Sequence, residues 1–221
     1  RVLCFDEPLS ALDAILREKL RLDIRRLQRK LNLTVLYVTH DQEEALAISD
    51  RVVVMDSGRV LQVGSPWEVY DRPANRIVAE FIGQGSLLAG QVASCGREIG
   101  VQLAEDQVVN LPLSAWCGSG PPSADQRVGV VLRAERARVL LPTEFGSGTN
   151  QSREDHQLQL PARLDDVEFL GAQLRLHITG GVGAVLATVP AMNVAAWQTR
   201  IGQPVIVVCS ADDVRLVPWE A

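Results

Sequence analysis

The sequence predicts an α/β layer with a parallel sheet in residues 1–83, followed by a small all-β, barrel-like domain in residues 84–221. In the first part, two short apolar runs alternate with two segments of helical period, which is the pattern of a parallel βαβ layer. After Gly83–Gly85 the helical period is lost, and short alternating apolar runs are separated by Gly, Pro, Ser and Asp. Repeated short strands with such turns are typical of a small all-β domain. We therefore expect two cores that join near Gly83–Gly85.

Composition and charge limit the classes of function. The chain has 221 residues, 47% of them hydrophobic, and a formal net charge of −5. This charge gives no broad attraction for nucleic acid, so we expect no nucleic-acid partner. No apolar run approaches the roughly 18–20 residues of a membrane span, and we find no secretory signal pattern, so we expect a cytoplasmic protein.

The cysteines show no pattern of a disulfide framework or a zinc site. They lie far apart in the sequence, and no Cys-x-x-Cys pair occurs. We predict that all four are buried, reduced thiols. They are Cys4, Cys95, Cys117 and Cys209.

The first 32 residues predict a strand and a helix. Val2–Phe5 is too short an apolar run for a helix and suggests a strand that is buried on both faces. Asp13 is placed to cap the helix that follows, and Asn32 is placed to end it. Leucines recur on one side of this helix at helical spacing, with Arg and Lys on the other side. They are Leu16, Leu20, Leu27 and Leu31.

A second strand and helix follow. Thr34–Val38 predicts a second buried strand, which ends at Thr39–His40. Asp41, with Glu44 three residues later, resembles a capping box for the next helix. We predict that the two strands are parallel neighbours, as in other βαβ units.

Residues 51–83 are expected to be edge structure that closes the first domain. Two β-rich runs around Asp56–Gly58 predict a hairpin. Ser65 and Glu68 occupy the cap and capping-box positions of the first of two short helices, which end at Gly83.

The β-domain contains an apparent internal repeat. The segments VVLRAERARVLLP (130–142) and IVVCSADDVRLVP (206–218) each consist of an apolar strand, a polar turn and a second strand that ends in Pro. Polar, glycine-bearing loops are expected at 118–125 and 143–157.

Two acidic residues and a histidine follow the two predicted parallel strands. Asp6 and Glu7 end the first strand, and His40 ends the second. Ligands of such sheets bind beyond the carboxyl ends of the strands. A carboxylate there can hold a hydrated Mg²⁺, a second one can polarise water, and a histidine can hydrogen-bond a phosphate. Each residue alone is more often a turn or cap residue, but their combination favours a phosphoryl-transfer site.

The order of LCFDEPLSALD, a leucine-rich helix and VLYVTHDQEEALAISDRVVVMDSGRVLQVGSP resembles the ATP-binding cassette (ABC) ATPases, which have a P-loop NTPase fold. The resemblance covers residues 1–83 and implies ATP and Mg²⁺ as cofactors. It implies that Asp6 is the Walker B aspartate, which holds Mg²⁺ through water, and that Glu7 is the catalytic base. It also implies that His40 contacts the γ-phosphate. Ser10 and Asp13 match the ends of the D-loop, which contributes to the nucleotide site where two cassettes meet.

Residues 84–221 resemble the TOBE-type β-domain that follows the ATPase domain in many importers. VVLRAERARV is similar to a family segment that usually contains Arg-Pro-Glu, and Ala134 stands at the proline position. LDDVEFLGAQLRLHI (164–178) matches the strand–Gly–strand pattern of the family. We expect His177 to be ordinary strand packing and His156 to lie in a loop, and we assign neither a role.

The sequence contains no G-x-x-x-x-G-K-[ST] phosphate loop, no Leu-Ser-Gly-Gly-Gln signature and no glutamine loop. In the family these motifs precede the position of Asp6, and the chain begins at Arg1 within a predicted strand. We therefore expect a fragment of a longer protein, without ATPase activity on its own.

The resemblance implies the ATP-hydrolysing subunit of an ABC importer. Its expected partners are transmembrane permease subunits, a second ATPase subunit in a homodimer and, indirectly, an extracytoplasmic solute-binding protein. The subunit is expected to be a peripheral protein at the cytoplasmic face of the inner (plasma) membrane. The junction EFIGQGSLLAGQV is most similar to ferric-iron or polyamine importers.

Two alternatives stay open. Residues 84–221 could form a stand-alone binding or regulatory module for a small ligand such as an oxyanion. Arg133, Arg136 and Arg138 are the local basic cluster for such a role, although a solvated turn explains them better. The second alternative is an inactive gene remnant.

Overall fold

The chain is described by a computed structural model that covers residues 2–105, 107–142 and 157–220. It divides into two compact units, Arg1–Asp71 and Arg72–Ala221. The sequence predicts the change of core near Gly83–Gly85, whereas here residues 72–83 belong to the second unit. The expected loop at 143–157, with His156, lies outside the described residues except for Gln157.

The first unit begins with a strand, a helix and a parallel strand. Strand β1 (Val2–Asp6) pairs with β2 (Thr34–Val38) in parallel register, so that Asp6 lies opposite Val38. Helix α1 (Ala14–Leu31) connects them, as the sequence predicts. The Asp13 side chain caps this helix by accepting from the Leu16 amide at 3.0 Å, and Asn32 ends it in the left-handed region at φ 48°.

The rest of the first unit is a helix, a hairpin and a second short helix. Helix α2 (Gln42–Ile48) is followed by β3 (Val52–Asp56), β4 (Arg59–Gly64) and α3 (Pro66–Asp71). Strands β3 and β4 pair as an antiparallel hairpin. Ser65 and Glu68 form the predicted capping box, since the Ser65 amide donates to Glu68 Oε2 and the Glu68 amide donates to Ser65 Oγ.

The burial predicted for the first two strands is wrong. No residue of β1, α1 or β2 is buried, and the outward positions of both strands are exposed. The two strands form a two-stranded sheet among the described strands, and no residue of the connecting helix α1 is buried, so the faces of this sheet are left exposed. The side of α1 that carries the leucines is also exposed to solvent, and Leu27 is 53% exposed.

The second unit begins with helix α4 (Arg76–Phe81) and contains two five-stranded sheets. The strands of the first sheet, in the order β7-β6-β5-β8-β14, are Gln107–Pro112, Glu98–Ala104, Gly85–Cys95, Arg127–Arg133 and Arg215–Pro218. Those of the second sheet, in the order β12-β11-β10-β13-β9, are Gly183–Pro190, Gln173–Gly180, Gln157–Phe169, Pro204–Ser210 and Arg138–Leu140. Helix α5 (Val194–Gln198) precedes β13.

The two sheets enclose one core, which contains Leu88 and Val130 of the first sheet and Leu176 and Val207 of the second. The all-β prediction for this region is therefore confirmed. Among the described strands, however, each sheet has two free ends, so the barrel-like part of the prediction is replaced by two open sheets.

The predicted internal repeat is present as a structural repeat. Each copy consists of a strand, a 3₁₀ turn and a second strand. In the first copy these are β8, Ala134–Arg136 and β9, and in the second copy they are β13, Ala211–Asp213 and β14. Strand β9 pairs with β13, and β14 pairs with β8, so each copy contributes its last strand to the sheet of the other. The strand orders of the two sheets correspond position by position under this exchange.

The cysteines are free, as predicted, but only Cys209 of the four is buried. Burial raises the pKa of its thiol to about 12, with a further increase from the charge of Asp213. Cys4 in β1 and Cys95 at the end of β5 are exposed, and Cys117 is half-buried. No helix in the described part of the chain has the length and hydropathy of a membrane span.

Candidate functional site

The parallel pairing of β1 and β2 brings their carboxyl ends together, as the sequence predicts. The Glu7 amide donates to the Val38 carbonyl at 2.9 Å, which continues the ladder by one residue beyond β1. Glu7 then adopts a left-handed backbone with φ 43°. This conformation is uncommon for a residue with a side chain, and such residues cluster at functional sites. The chain turns sharply at the first residue after the strand.

Glu7 and His40 form a direct contact. Nδ1 of His40 lies 3.0 Å from Oε1 of Glu7, and the two side chains are 72% and 45% exposed, respectively. The hydrogen bond to Glu7, followed by the charge of that carboxylate, raises the pKa of His40 above its ordinary value. The site therefore holds a carboxylate and an imidazole side by side and open to solvent.

Ser10 stabilises the turn that follows Glu7. Its hydroxyl donates to the Glu7 carbonyl at 3.0 Å, and its amide lies 3.3 Å from the same oxygen. Leu9 is buried and anchors this turn. The Glu7–Ser10 turn is thus held by its own hydrogen bonds and by one apolar side chain.

A polar cleft lies beside these residues, within the first unit. Three of the predicted site residues line it, together with four side chains from α1, from the end of β2 and from α2. The lining residues are Glu7, Ser10, Arg17, Thr39, His40, Asp41 and Glu44.

Glu44 is the residue of this cleft whose role the sequence analysis missed. Its carboxylate is buried and accepts hydrogen bonds from the Tyr37 hydroxyl at 3.0 Å and from the Thr39 hydroxyl at 2.9 Å. Burial and the hydrogen bond to Glu44 raise the pKa of Tyr37, which stays a neutral donor. Glu44 therefore fixes the strand end just before His40.

The predicted capping box at Asp41 is half correct. Asp41 Oδ1 accepts from the amides of Glu43 and Glu44 at 2.9 and 3.2 Å, so Asp41 is the cap of α2. The amide of Asp41, however, donates to the Thr39 hydroxyl at 3.0 Å. Because the Glu44 carboxylate accepts from Tyr37 and Thr39, it does not make the return bond of a capping box.

Asp6 and Asp13 are not among the residues that line the cleft. Asp13 is the cap of α1. Asp6 is the exposed last residue of β1, next to Glu7 in the chain. Within the described residues, no group of three or more His, Cys, Asp or Glu side chains is arranged to hold a metal ion. One exposed carboxylate fits an ion such as Mg²⁺, which keeps several of its waters and uses one or two carboxylates.

The arrangement has the parts of a hydrolytic site for a phosphate substrate. A solvent-exposed carboxylate can accept a proton from water, and an imidazole within hydrogen-bond distance can donate to a phosphate oxygen. The two groups come from neighbouring strand ends, which is where ligands bind in parallel sheets.

Of the arginine cluster of the β-domain, Arg138 is exposed but Arg133 is not solvated, in contrast to the sequence-based interpretation. The Arg133 side chain is buried and donates to the Ile82 carbonyl at 2.6 Å and to the Ala79 carbonyl at 3.4 Å. It therefore binds the last carbonyls of α4. Arg136 lies 3.8 Å from Asp213, which connects the two 3₁₀ turns of the repeat.

His177 lies on the surface of β11, where Nε2 is 3.5 Å from Oε2 of Glu168. Arg175 on the same strand donates to that carboxylate oxygen at 3.0 Å. His177 belongs to a cross-strand polar group, which agrees with its expected structural role.

Comparison with known proteins finds one domain family and several importer proteins that are similar to this chain. Residues 130–217 match the family model for the TOBE domain. The chain is 53% identical, over 80% of its length, to the spermidine/putrescine import ATP-binding protein of Mesorhizobium japonicum, of which the match covers 44%. It is 38% identical over its whole length to a sulfate/thiosulfate import ATP-binding protein of Chromobacterium violaceum, with 55% of that protein covered.

The chain is thus similar to part of the ATP-binding proteins of ABC importers. It is also 37% identical, over 98% of its length, to an sn-glycerol-3-phosphate import ATP-binding protein of Rhizobium johnstonii, of which 53% is covered. It spans about half the length of the curated relatives that it matches. A solved cytoplasmic molybdate-binding protein is similar over 60% of this chain and 95% of its own, at a TM-score of 0.46 and 14% identity.

Proposed function

We propose that the chain forms part of the ATP-hydrolysing subunit of an ABC importer, with Glu7 as the general base and His40 as the γ-phosphate contact. The observation that carries the proposal is the 3.0 Å contact between Glu7 and His40 at the ends of two parallel strands. A base must lie within hydrogen-bond reach of its water, and the exposed Glu7 carboxylate in the cleft is accessible to water. The relatives' names support ATP binding and import.

The same proposal assigns the remaining residues of the predicted site. Asp6 would hold Mg²⁺ through water, and the ion would neutralise charge on the phosphates of ATP. Ser10 and Asp13 would lie at the junction with a second ATPase subunit in a homodimer. In this proposal residues 1–83 are the C-terminal part of a P-loop α/β nucleotide-binding domain, and residues 84–221 are its TOBE-type β-domain.

The proposed cellular setting follows from the names of the relatives. The subunit would be peripheral at the cytoplasmic face of the membrane, would bind transmembrane permease subunits and would depend indirectly on an extracytoplasmic solute-binding protein. We propose a polyamine as the transported solute, because the 53% identical relative is named for spermidine and putrescine. Ferric iron stays a prediction from the sequence of the domain junction.

The rival function, an oxyanion-binding or regulatory β-module without ATP chemistry, is less well supported. The basic cluster on which it depends includes Arg133, whose guanidinium is buried against the carbonyls of Ala79 and Ile82. A guanidinium in that position does not face a surface ligand.

The test compares two carboxylate substitutions in the full-length protein that carries this sequence. Glu7→Gln keeps the size of the side chain but removes the charge that accepts a proton, so ATP hydrolysis should fall by roughly 10²–10⁴-fold with ATP affinity retained. Asp6→Asn should also weaken Mg²⁺-dependent nucleotide binding. The control is Asp23→Asn, an exposed carboxylate of α1 whose partner is Arg26. Hydrolysis by Glu7→Gln at the parental rate would show that the strand-end pair is structural.

A further inference from the structure

The side chain of Arg17 joins two segments of the proposed site. Arg17 lies in the first turns of α1 and is one-third exposed. Nη2 donates to the Leu12 carbonyl at 3.0 Å, and Nη1 donates to Oδ2 of Asp41 at 3.4 Å. Its Nε lies 3.9 Å from Oε1 of Glu44. One guanidinium therefore contacts the segment that contains Ser10 and the segment that contains His40.

On the His40 side, these contacts hold the residues on both sides of the imidazole. Thr39 donates to the buried Glu44 carboxylate, and its hydroxyl accepts from the Asp41 amide. Asp41 in turn is held by Arg17 and caps α2. The position of His40 thus depends on a network in which Arg17 neutralises two carboxylates, one of them buried.

On the other side, Arg17 holds the carbonyl of Leu12, within the predicted D-loop 10–13. The beginning of this loop is hydrogen-bonded to the Glu7 carbonyl through Ser10. Leu12 is therefore connected to Glu7 through the loop itself, and to His40 through Arg17.

We propose that Arg17 is a positioning residue that keeps the Glu7 turn and the His40 segment in one arrangement for hydrolysis. The inference rests on the proposed function. The planar guanidinium presents several donors in a rigid fork, so it can satisfy a carbonyl and a carboxylate at once, which the single ammonium of lysine does less well. Catalytic groups must be held in a narrow range of geometry, and a displacement of about 1 Å can cost about 10²-fold in rate.

The test uses Arg17→Met and Arg17→Lys in the full-length protein that carries this sequence. We expect Arg17→Met to lower kcat by about 10–100-fold, with the KM for ATP within about threefold of the parent. Arg17→Lys keeps the charge but loses the fork, so its kcat should fall less. The matched control is Arg26→Met on the same helix, where the arginine pairs with Asp23 at the surface, and its kcat should be parental.

A second measurement does not depend on ATP. Amide hydrogen exchange without nucleotide should become about tenfold faster or more for Glu43 and Glu44 in Arg17→Met, because their acceptor Asp41 loses its partner. The exchange of these amides in Arg26→Met should be unchanged.

The outcomes separate the two proposals. A parental kcat in both Arg17 variants overturns the positioning role, and so does a raised KM at parental kcat, which would make Arg17 a binding residue. If Arg17→Met does not fold, Arg17→Lys decides by the same criteria. If the unsubstituted protein does not hydrolyse ATP, the proposed function fails. The exchange measurement then decides whether Arg17 holds the His40 segment, and unchanged exchange refutes it.

Discussion

The contact between His40 and Glu7 makes the site sensitive to pH, because only the protonated imidazole is charged. Glu7 raises the pKa of His40 above the ordinary value of about 6.5. Because the pKa of His40 is raised in the folded chain, the contact between His40 and Glu7 contributes its full stabilisation when the pH is below the ordinary pKa of histidine. This contribution is lost as the pH rises through the raised pKa.

A histidine titration by NMR of the 221-residue chain checks this expectation. The midpoint of His40 should lie above 6.5, and Glu7→Gln should move it down because the charge is removed. His177 and Glu168, which it contacts, both lie in the second unit. The NMR signal of His177 is therefore the control, which the substitution of Glu7 should leave unchanged. Equal His40 midpoints in the parent and in Glu7→Gln would refute the contact in solution.

Single residues show where the sequence is informative and where it is not. The order of the strands alone predicts that three residues lie together, because the carboxyl ends of neighbouring parallel strands meet at the same edge of the sheet. These residues are Asp6, Glu7 and His40. The role of Glu44 does not follow, because a capping box and a buried carboxylate have the same spacing from Asp41. Only the positions of the Tyr37 and Thr39 hydroxyls around the Glu44 carboxylate distinguish them.

At the scale of elements, the pairing of β10 with β11 depends on a glycine. A Cβ added at Gly180 would lie 2.7 Å from the Pro161 carbonyl, and this backbone atom can move only with its strand. A Cβ at the adjacent Gly181 would meet nothing within 4 Å. The two neighbouring glycines therefore form a matched pair for substitution.

We expect Gly180→Ala to lower the free energy of unfolding by about 1–3 kcal/mol, the usual cost of overpacking. Gly181→Ala should change it by less than about 0.5 kcal/mol, as for other unstrained surface substitutions. Urea unfolding followed by tryptophan fluorescence measures both. A Gly180→Ala protein as stable as Gly181→Ala would mean that the two strands do not approach as closely in solution.

The sequence predicts the internal repeat, but it does not predict that the two copies exchange their last strands. The strand–turn–strand pattern is local, so 130–142 and 206–218 could be matched by their residues. The pairing of β9 with β13 and of β14 with β8 is long-range, and no local pattern specifies the partner of a short apolar strand. For the same reason, apolar content alone wrongly predicted burial for β1 and β2.

At the scale of the whole chain, the boundary between the two units determines whether helix α4 folds with the first or with the second unit. Gly83–Gly85 is where the sequence changes from helical to strand period, but helix α4 precedes that point and packs in the second unit. Ala79 of α4 lies in a buried cluster with Val131 and Val217, and Arg133 donates to the carbonyls of Ala79 and Ile82. A cut at Gly83–Gly85 would remove these two carbonyl acceptors of Arg133 and uncover the apolar cluster that Ala79 covers.

We therefore expect a chain of residues 72–221 to be more stable than a chain of residues 84–221, by about 3 kcal/mol. Loss of the hydrogen bonds to the Arg133 guanidinium accounts for about 1.5–3 kcal/mol, and exposure of the apolar surface under α4 adds to it. Urea unfolding of the two purified chains measures the difference. A third chain of residues 84–221 with Arg133→Met separates the two contributions, because it lacks the guanidinium that loses these two carbonyl acceptors and should recover part of the loss. Equal stability of the first two chains would place the boundary at Gly83–Gly85, where the periodicity of the sequence changes, and would make α4 a connecting helix.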